Sequence, residues 1–285
     1  MIKDLFRLFV ENRKALVGII LLSLFILVAV FAPVIAPFAP KQNSDGQGAF
    51  PLMAPPGGEH ILGTTNAGYD IFSRLVYGSR ITLFVGIVTG LMTTFISLSI
   101  GLFSGYMRRT VDNVISFVVN VFLVLPSLPL VIVIASYIPM RGILPIILVL
   151  VITGWAWGAR VVRAQVLTIG EREFIKVAEI MGEKPIVIIF NEILPNIISL
   201  VMAIFFTSTI ASIIGEATLE FIGLGNISTV TWGTMLFWAQ NNSALLLGAW
   251  WWFLPPGLFI GLLGTSFALM NFAIDEISNP KIRKR

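Results

Sequence analysis

The chain of 285 residues contains no cysteine and a single histidine, His60. The first absence excludes a disulfide framework and thiolate metal sites; the second excludes a metal centre built on several imidazoles. No Gly-x-x-x-x-Gly-Lys-Ser/Thr run occurs, so the chain has no loop of that kind to cradle nucleotide phosphates. A membrane-embedded serine hydrolase needs a His base near its nucleophile, and His60 stands instead among Gly and Pro in a loop. An ion-driven secondary transporter often shows internal repeats, and no clear repeat relates the two halves here. Charge is scarce as well: charged residues are 12% of the chain, against about 25% in a typical soluble domain. The net charge of +4 is not a nucleic-acid footprint, because Lys and Arg do not cluster with interleaved aromatics. Neither a metal nor a nucleic acid is an expected ligand.

Apolar residues are abundant instead, at 56% with a mean hydropathy of +0.92. Crossing the hydrocarbon core takes about 20 mostly apolar residues in a helix. Six segments qualify: Ala15–Ile35, Ile81–Tyr106, Val111–Ile138, Ile143–Ala159, Ile197–Gly215 and Ala249–Ile274. The first is too long and too Pro-rich at its end for a cleaved leader, and reads as an anchor. The fold class is therefore an all-α integral membrane protein with six transmembrane helices.

Orientation follows from the loops. With the N-terminus inside, fifteen of the 19 Lys and Arg fall on inner segments: Lys3, Arg7, Arg13 and Lys14; Arg108 and Arg109; Arg160, Arg163, Arg172, Lys176 and Lys184; Lys281, Arg283, Lys284 and Arg285. Only Lys41, Arg74, Arg80 and Arg141 fall outside. Both termini are then cytoplasmic. The organisation reads as an anchor helix with an outer loop over 1–80 and a five-helix core over 81–285. Within the outer loop, Pro and Gly dominate the first part. Ile71, Phe72, Leu75 and Val76 then take helical spacing, which predicts a short surface helix before span two.

The densest charge lies at 171–196, between spans four and five and on the inner side. Phe174, Val177, Ala178 and Met181 stand at i, i+3, i+4 and i+7 among these charges, on one face of an amphipathic helix. Gly182 suits the left-handed stop of that helix, and Pro185 the first turn of the next. Such a helix either lies on lipid head groups or inserts its apolar face into a partner's groove. Four acids (Glu171, Glu173, Glu179, Glu183) against three bases fit poorly with an anionic inner leaflet. Periodicity alone leaves both readings open.

This stretch resembles the coupling loop of binding-protein-dependent ABC importer permeases, through Ala178, Gly182, Ile193, Pro195 and Asn196. Other segments resemble the C-type subunit of the dipeptide, oligopeptide and nickel importers. They are "HILGTTNAGYDIFSRLVYGSRITLFVG" (His60–Gly86), "LPSLPL" (Leu125–Leu130), "GEATLEFIGLG" (Gly215–Gly225), "WGTML" (Trp232–Leu236) and "LPPGL" (Leu254–Leu258). The chain departs from that pattern at Tyr69, where Arg is usual, and near Asp275.

The resemblance implies a non-enzymatic permease subunit of the prokaryotic cell membrane. It implies a homologous B-type permease subunit, two cytoplasmic ATPase subunits and an extracytoplasmic substrate-binding protein as partners. ATP and Mg would be held by the ATPases, with no cofactor on this chain. Phe174, Val177, Ala178, Met181, Gly182, Pro195 and Asn196 would form the ATPase-docking element. The implied cargo is a peptide, with an oligosaccharide or nickel as alternatives. The candidate path residues are Glu216 and Glu220, at the outer end of span five, and Pro126 and Pro129, which should kink span three. Glu220 is the better candidate for cargo contact. "WWWF" (Trp250–Phe253) fits an outer aromatic belt. By resemblance, "STVTWGTML" (Ser228–Leu236) forms a short helix near the pore mouth.

Overall fold

The structure is a computed structural model that describes residues 12–46, 48–107 and 110–278. Lys3, Arg7, Arg108, Arg109, Lys281, Arg283, Lys284 and Arg285, all part of the orientation argument, lie outside the described residues. Five helices are long and apolar enough to cross a membrane, or six if one bent pair counts as a single span. The all-α architecture agrees with the hydropathy reading, and the helix ends refine it.

Helix α1 is Arg13–Val30, followed after Phe31 by the short α2, Ala32–Ile35. Pro33 sits in the first turn of α2, where its missing N–H costs nothing. Asn12 caps α1 and also donates to Glu276 at 3.1 Å, which ties the start of the chain to its last helix. The long loop that follows contains a two-residue hairpin, β1 (Ser44–Asp45) with β2 (Gly48–Ala49). His60 is buried in this loop against Phe38 and Phe50, with Nδ1 2.9 Å from the Asp70 carboxylate. It is a structural contact, as a lone loop histidine more often is.

Helix α3 is a single rod, Ile71–Tyr106. The separate surface helix expected before span two does not exist; Ile71–Val76 is the first part of α3. Asp70 caps the start by accepting from the Ser73 N–H at 2.7 Å. Arg80 interrupts the apolar run but not the helix, since arginine is a good helix former. Gly78 leaves room for Trp232, whose indole N–H donates to the Leu75 carbonyl at 2.9 Å.

Span three is two helices, α4 (Thr110–Val124) and α5 (Ser127–Tyr137), bent by 94°. The expected kink is thus a break. Pro126 is the cap residue of α5 and Pro129 lies in its first turn, so neither sits in a helix interior. A proline ring clashes with the carbonyl of a preceding turn, and α4 stops short of it. Helix α6 runs Ile143–Gly170, well past Ala159. The charges of Arg160 and Arg163 lower hydropathy there without ending the helix. Arg163 forks onto Asp112 of α4 at 2.5 and 2.7 Å, which pins the two helices together.

After α6 come α7 (Glu173–Ile180), α8 (Pro185–Asn196) and α9 (Ile198–Phe221). Helix α8 contains a π-helical turn, Ile188–Ile193, just before Pro195. Proline would crowd the carbonyl of Asn191 in a tight turn, and the wider turn relieves this. Last are α10 (Trp232–Asn241) and α11 (Trp250–Ser278). Pro255 and Pro256 lie inside α11. Of the tryptophans in "WWWF", Trp250 is half exposed but Trp252 is buried at 2%, so only part of that run can face a membrane interface.

Helix α3 is the spine of the fold and packs most closely on α6 and α9. Small residues permit the approach: a Cβ on Gly101 would lie 2.5 Å from Cβ of Val162 and 2.8 Å from the Ala159 carbonyl. In a bilayer, where lipid competes for every apolar face, such close backbone contact is what holds helices together. Gly101→Val is therefore expected to destabilise the fold by about 1–3 kcal/mol, the usual cost of overpacking. A thermal-unfolding scan of detergent-purified protein checks this.

Candidate functional site

Two features stand out, one at each depth of the bundle. The first is the α7–α8 element at the end where α6 finishes. Ile175 and Ala178 turn inward, at 0% and 8% exposure, into a cluster with Val162, Val166, Ile169, Ile188 and Ile193. Phe174, Val177, Ile180 and Met181 point the other way and are exposed. The expected docking face thus divides. Ala178 holds α7 onto its own bundle, while Phe174, Val177 and Met181 stay free with Ile180 between them. Ile175 and Ile180 escaped the sequence reading. The signal was present, since Ile180 follows Val177 by three residues, but five apolar positions in one eight-residue helix give no unique face.

Gly182 ends α7 in the left-handed region, φ +80°. Its N–H reaches Glu179 O at 3.1 Å and the Glu183 N–H reaches Ala178 O at 3.1 Å, closing the helix end. Lys176 pairs with Glu171 at 3.2 Å, and the Tyr106 hydroxyl at the end of α3 donates to Glu179 at 3.4 Å. Pro195 and Asn196 lie apart from the exposed stripe, at the joint between α8 and α9. There Asn196 donates through Nδ2 to the Glu192 carbonyl at 2.6 Å. α7 is thus packed against α6 through Ile175 and Ala178, and the α8 joint at Pro195 and Asn196 leads directly into α9.

The second feature is a cavity of about 460 Å³ between α3, α5, α6 and α9. Its lining holds Leu128, Leu150, Trp157 and Leu219 together with hydroxyls of Thr93, Ser127, Thr153, Thr207, Ser208, Ser212 and Thr218, and no charged residue. Several hydroxyls are already committed as donors to their own helices. Thr153 donates to Val149 O at 2.8 Å, Thr207 to Ala203 O at 2.9 Å, Ser212 to Ser208 O at 2.7 Å and Thr218 to Ile214 O at 2.7 Å. What they keep for an occupant is oxygen lone pairs. Thr93 Oγ1 has no hydrogen-bond partner among the described residues, so the neutral wall offers a hydroxyl donor as well as lone pairs.

The break at Pro126 helps shape this cavity, since Ser127, Leu128, Val131 and Ile132 of α5 line it. The prolines themselves do not. Glu216 and Glu220 do not line it either, although Gly215, Thr218 and Leu219 on the same turns do. Both acids are buried, at 0% and 2%, on the opposite side of α9. Glu220 accepts the hydroxyl proton of Thr231, the cap of α10, and is enclosed by Gly225 and Gly233. In this structure Glu220 is a clasp between α9 and α10. Burial of a carboxyl is costly without hydrogen-bond partners; both Glu216 oxygens are buried without one among the described residues, while the short helix supplies one to Glu220. Thr231→Val removes that partner and the α10 cap together. The expected cost is about 2–4 kcal/mol, summing a buried unsatisfied group and a lost cap. Faster proteolysis within 222–249 and a lower melting temperature report it.

A bundle of apolar helices around a neutral cavity, with an exposed apolar element at one end, defines a multi-pass membrane permease. The family described as binding-protein-dependent transport system inner membrane component matches residues 97–284, and the N-terminal TM domain of oligopeptide transport permease C matches residues 1–56. The chain belongs to this family of permeases. It is 30% identical to the oligopeptide transport system permease protein OppC of Bacillus subtilis, over 99% of this chain and 90% of that protein. It is equally similar to the dipeptide transport system permease protein DppC of the same organism, over 99% and 86%. The Haemophilus influenzae DppC is 30% identical over 97% and 93%. Among solved structures, a chain of the MetNI methionine ABC transporter shares the fold, with a TM-score of 0.58 and 21% identity over 72% of this chain and 94% of that one.

Proposed function

We propose that this chain is the C-type permease half of an ATP-driven importer of oligopeptides or dipeptides. The exposed stripe Phe174–Val177–Ile180–Met181 carries the reading. An unpaired apolar helix face flanked by charges, on an element packed into two long helices, suits a groove on a partner. In this reading the α7–α8 end is cytoplasmic and docks one of two ATPase subunits. ATP and Mg are bound and turned over there, not on this chain. A homologous B-type permease closes the open side of the cavity, which one set of spans leaves exposed. An extracytoplasmic binding protein delivers cargo to the opposite end. Residues 1–80 then serve as anchor and outer loop, and 81–285 as the moving core.

ATP binding draws the ATPases together and carries α7 with them. Ile175 and Ala178 pass the motion to α6, and Pro195 and Asn196 to α9. The two helices that wall the cavity then tilt, and it opens to one side or the other. Its neutral hydroxyl lining accommodates the N–H and C=O groups of a peptide without selecting its charge. The alternative cargo, an oligosaccharide, also offers donors, and the same family-wide machinery carries it. The discriminating experiment is a binding-protein affinity series across a peptide panel and an oligosaccharide panel. Tight peptide binding is the expected result; binding of sugars alone contradicts the cargo assignment while leaving the machinery intact.

A further inference from the structure

Four Lys and Arg residues stand on the end of the chain opposite α7: Lys41, Arg74, Arg80 and Arg141. Two are engaged within the fold. Arg74 is buried with its guanidinium 5.0 Å over the Tyr69 ring, and Arg141 donates to the Leu224 carbonyl at 2.7 Å. The other two, Lys41 and Arg80, are exposed and form no ion pair among the described residues. They line one groove of about 420 Å³ together with Tyr77, Asn226, Ser228 and Thr229. No Asp or Glu lines it.

Three parts of the chain meet there: the long loop, α3, and the segment between α9 and α10. The last wall is held in shape by its own bonds. Asn226 Oδ1 accepts from the Ser228 N–H at 3.1 Å, and the Thr229 N–H reaches Asn226 O at 2.9 Å. Thr229 O in turn accepts from Thr234 Oγ1 at 2.7 Å, at the cap of α10. Two like charges converging in a groove without a counter-charge repel each other, and an anion relieves that repulsion. On a membrane face depleted of cations, two exposed cations share the lining of this one groove.

We propose that this groove receives a carboxylate side chain from the extracytoplasmic binding protein. The inference rests on the importer reading above. Docking there touches the segment that joins α9 to α10, and α9 walls the cavity. The groove therefore couples arrival of the binding protein to the helix that lines the path.

The test uses the whole transporter in nanodiscs of uncharged lipid, with its fluorescently labelled, cargo-loaded binding protein as probe. Lys41→Gln with Arg80→Gln is expected to weaken association about tenfold at low salt and to flatten its salt dependence. Lys41→Arg with Arg80→Lys restores both. Association within twofold of the unsubstituted transporter, with the same salt dependence, overturns the proposal. A second arm compares uptake of free-acid and C-terminally amidated peptides. A free-acid preference that the double Gln variant abolishes, with binding-protein affinity unmoved, assigns the carboxylate to the cargo and also overturns it. Failure of the unsubstituted transporter to bind any binding protein is a different result, and contradicts the importer reading itself.

Discussion

Val177→Asp combined with Ile180→Asp is expected to abolish transport while leaving the bundle folded. Both side chains are exposed, at 53% and 86%, so neither carboxylate disturbs the chain's own core. On the proposed docking these positions enter an apolar groove of the ATPase, and an unpaired charge desolvated there costs several kcal/mol. Uptake should fall by more than about tenfold, as expected when a central anchor of an interface is lost. Co-purification of the ATPases and cargo-stimulated ATP turnover measure the effect. Substituting Ala178 by a bulky charged residue is a weaker probe, because at 8% exposure it packs within the bundle and its loss acts through folding. Gly182→Ala separates the two cases again. A side chain at φ +80° costs about 1 kcal/mol and shifts the end of α7 without touching its exposed stripe.

Filling the cavity should stop transport by another route. Ala211 lies on the cavity wall of α9 and is exposed. Ala211→Trp places an indole in a space of about 460 Å³ without overpacking the core. Cargo passage should fall by more than about tenfold, since a blocked path raises the barrier by well over 1.4 kcal/mol. Assembly with the ATPases should persist, which distinguishes this variant from the α7 pair. Ala211→Ser adds only one hydroxyl to a wall that already bears several, and should transport normally. Proteoliposome uptake, with subunit stoichiometry checked on the same preparation, decides between a blocked path and a failed assembly.

The spans were legible because each is an apolar run of membrane length. Their ends were less so, since hydropathy reports where a helix is oily and not where it stops. Arg160 and Arg163 ended the apolar run of α6 on paper, yet arginine supports a helix and Arg163 is needed to hold Asp112. Ile71–Val76 looked like an element of its own because Arg80 interrupts the oil, and the continuous α3 shows that the charge was only decoration on a rod. Pro126 and Pro129 announced an irregularity, but a kink and a 94° break share that signature. What chooses between them is the space left by α6 and α9.

The candidate site divides in the same way. The α7 stripe was legible from its spacing, except for the inward turn of Ala178. That depends on Ile188 and Ile193, which are more than nine residues away in sequence. Glu216 and Glu220 drew notice as acids in an oily helix, and the structure places Glu220 buried against the start of α10. Nothing in the local pattern around Glu220 names Thr231 as its partner. The cavity was the least legible feature. Its lining is ordinary Ser, Thr and Leu, and only the packing of four helices makes a wall of them.

The most direct test of the account is peptide uptake into proteoliposomes holding the full assembly, with the binding protein outside and ATP supplied to the ATPase face. The account predicts uptake that needs ATP, the ATPases and the binding protein together, and that collapses in Val177→Asp/Ile180→Asp. Uptake by this chain alone, driven by an ion gradient and indifferent to ATP, would contradict it.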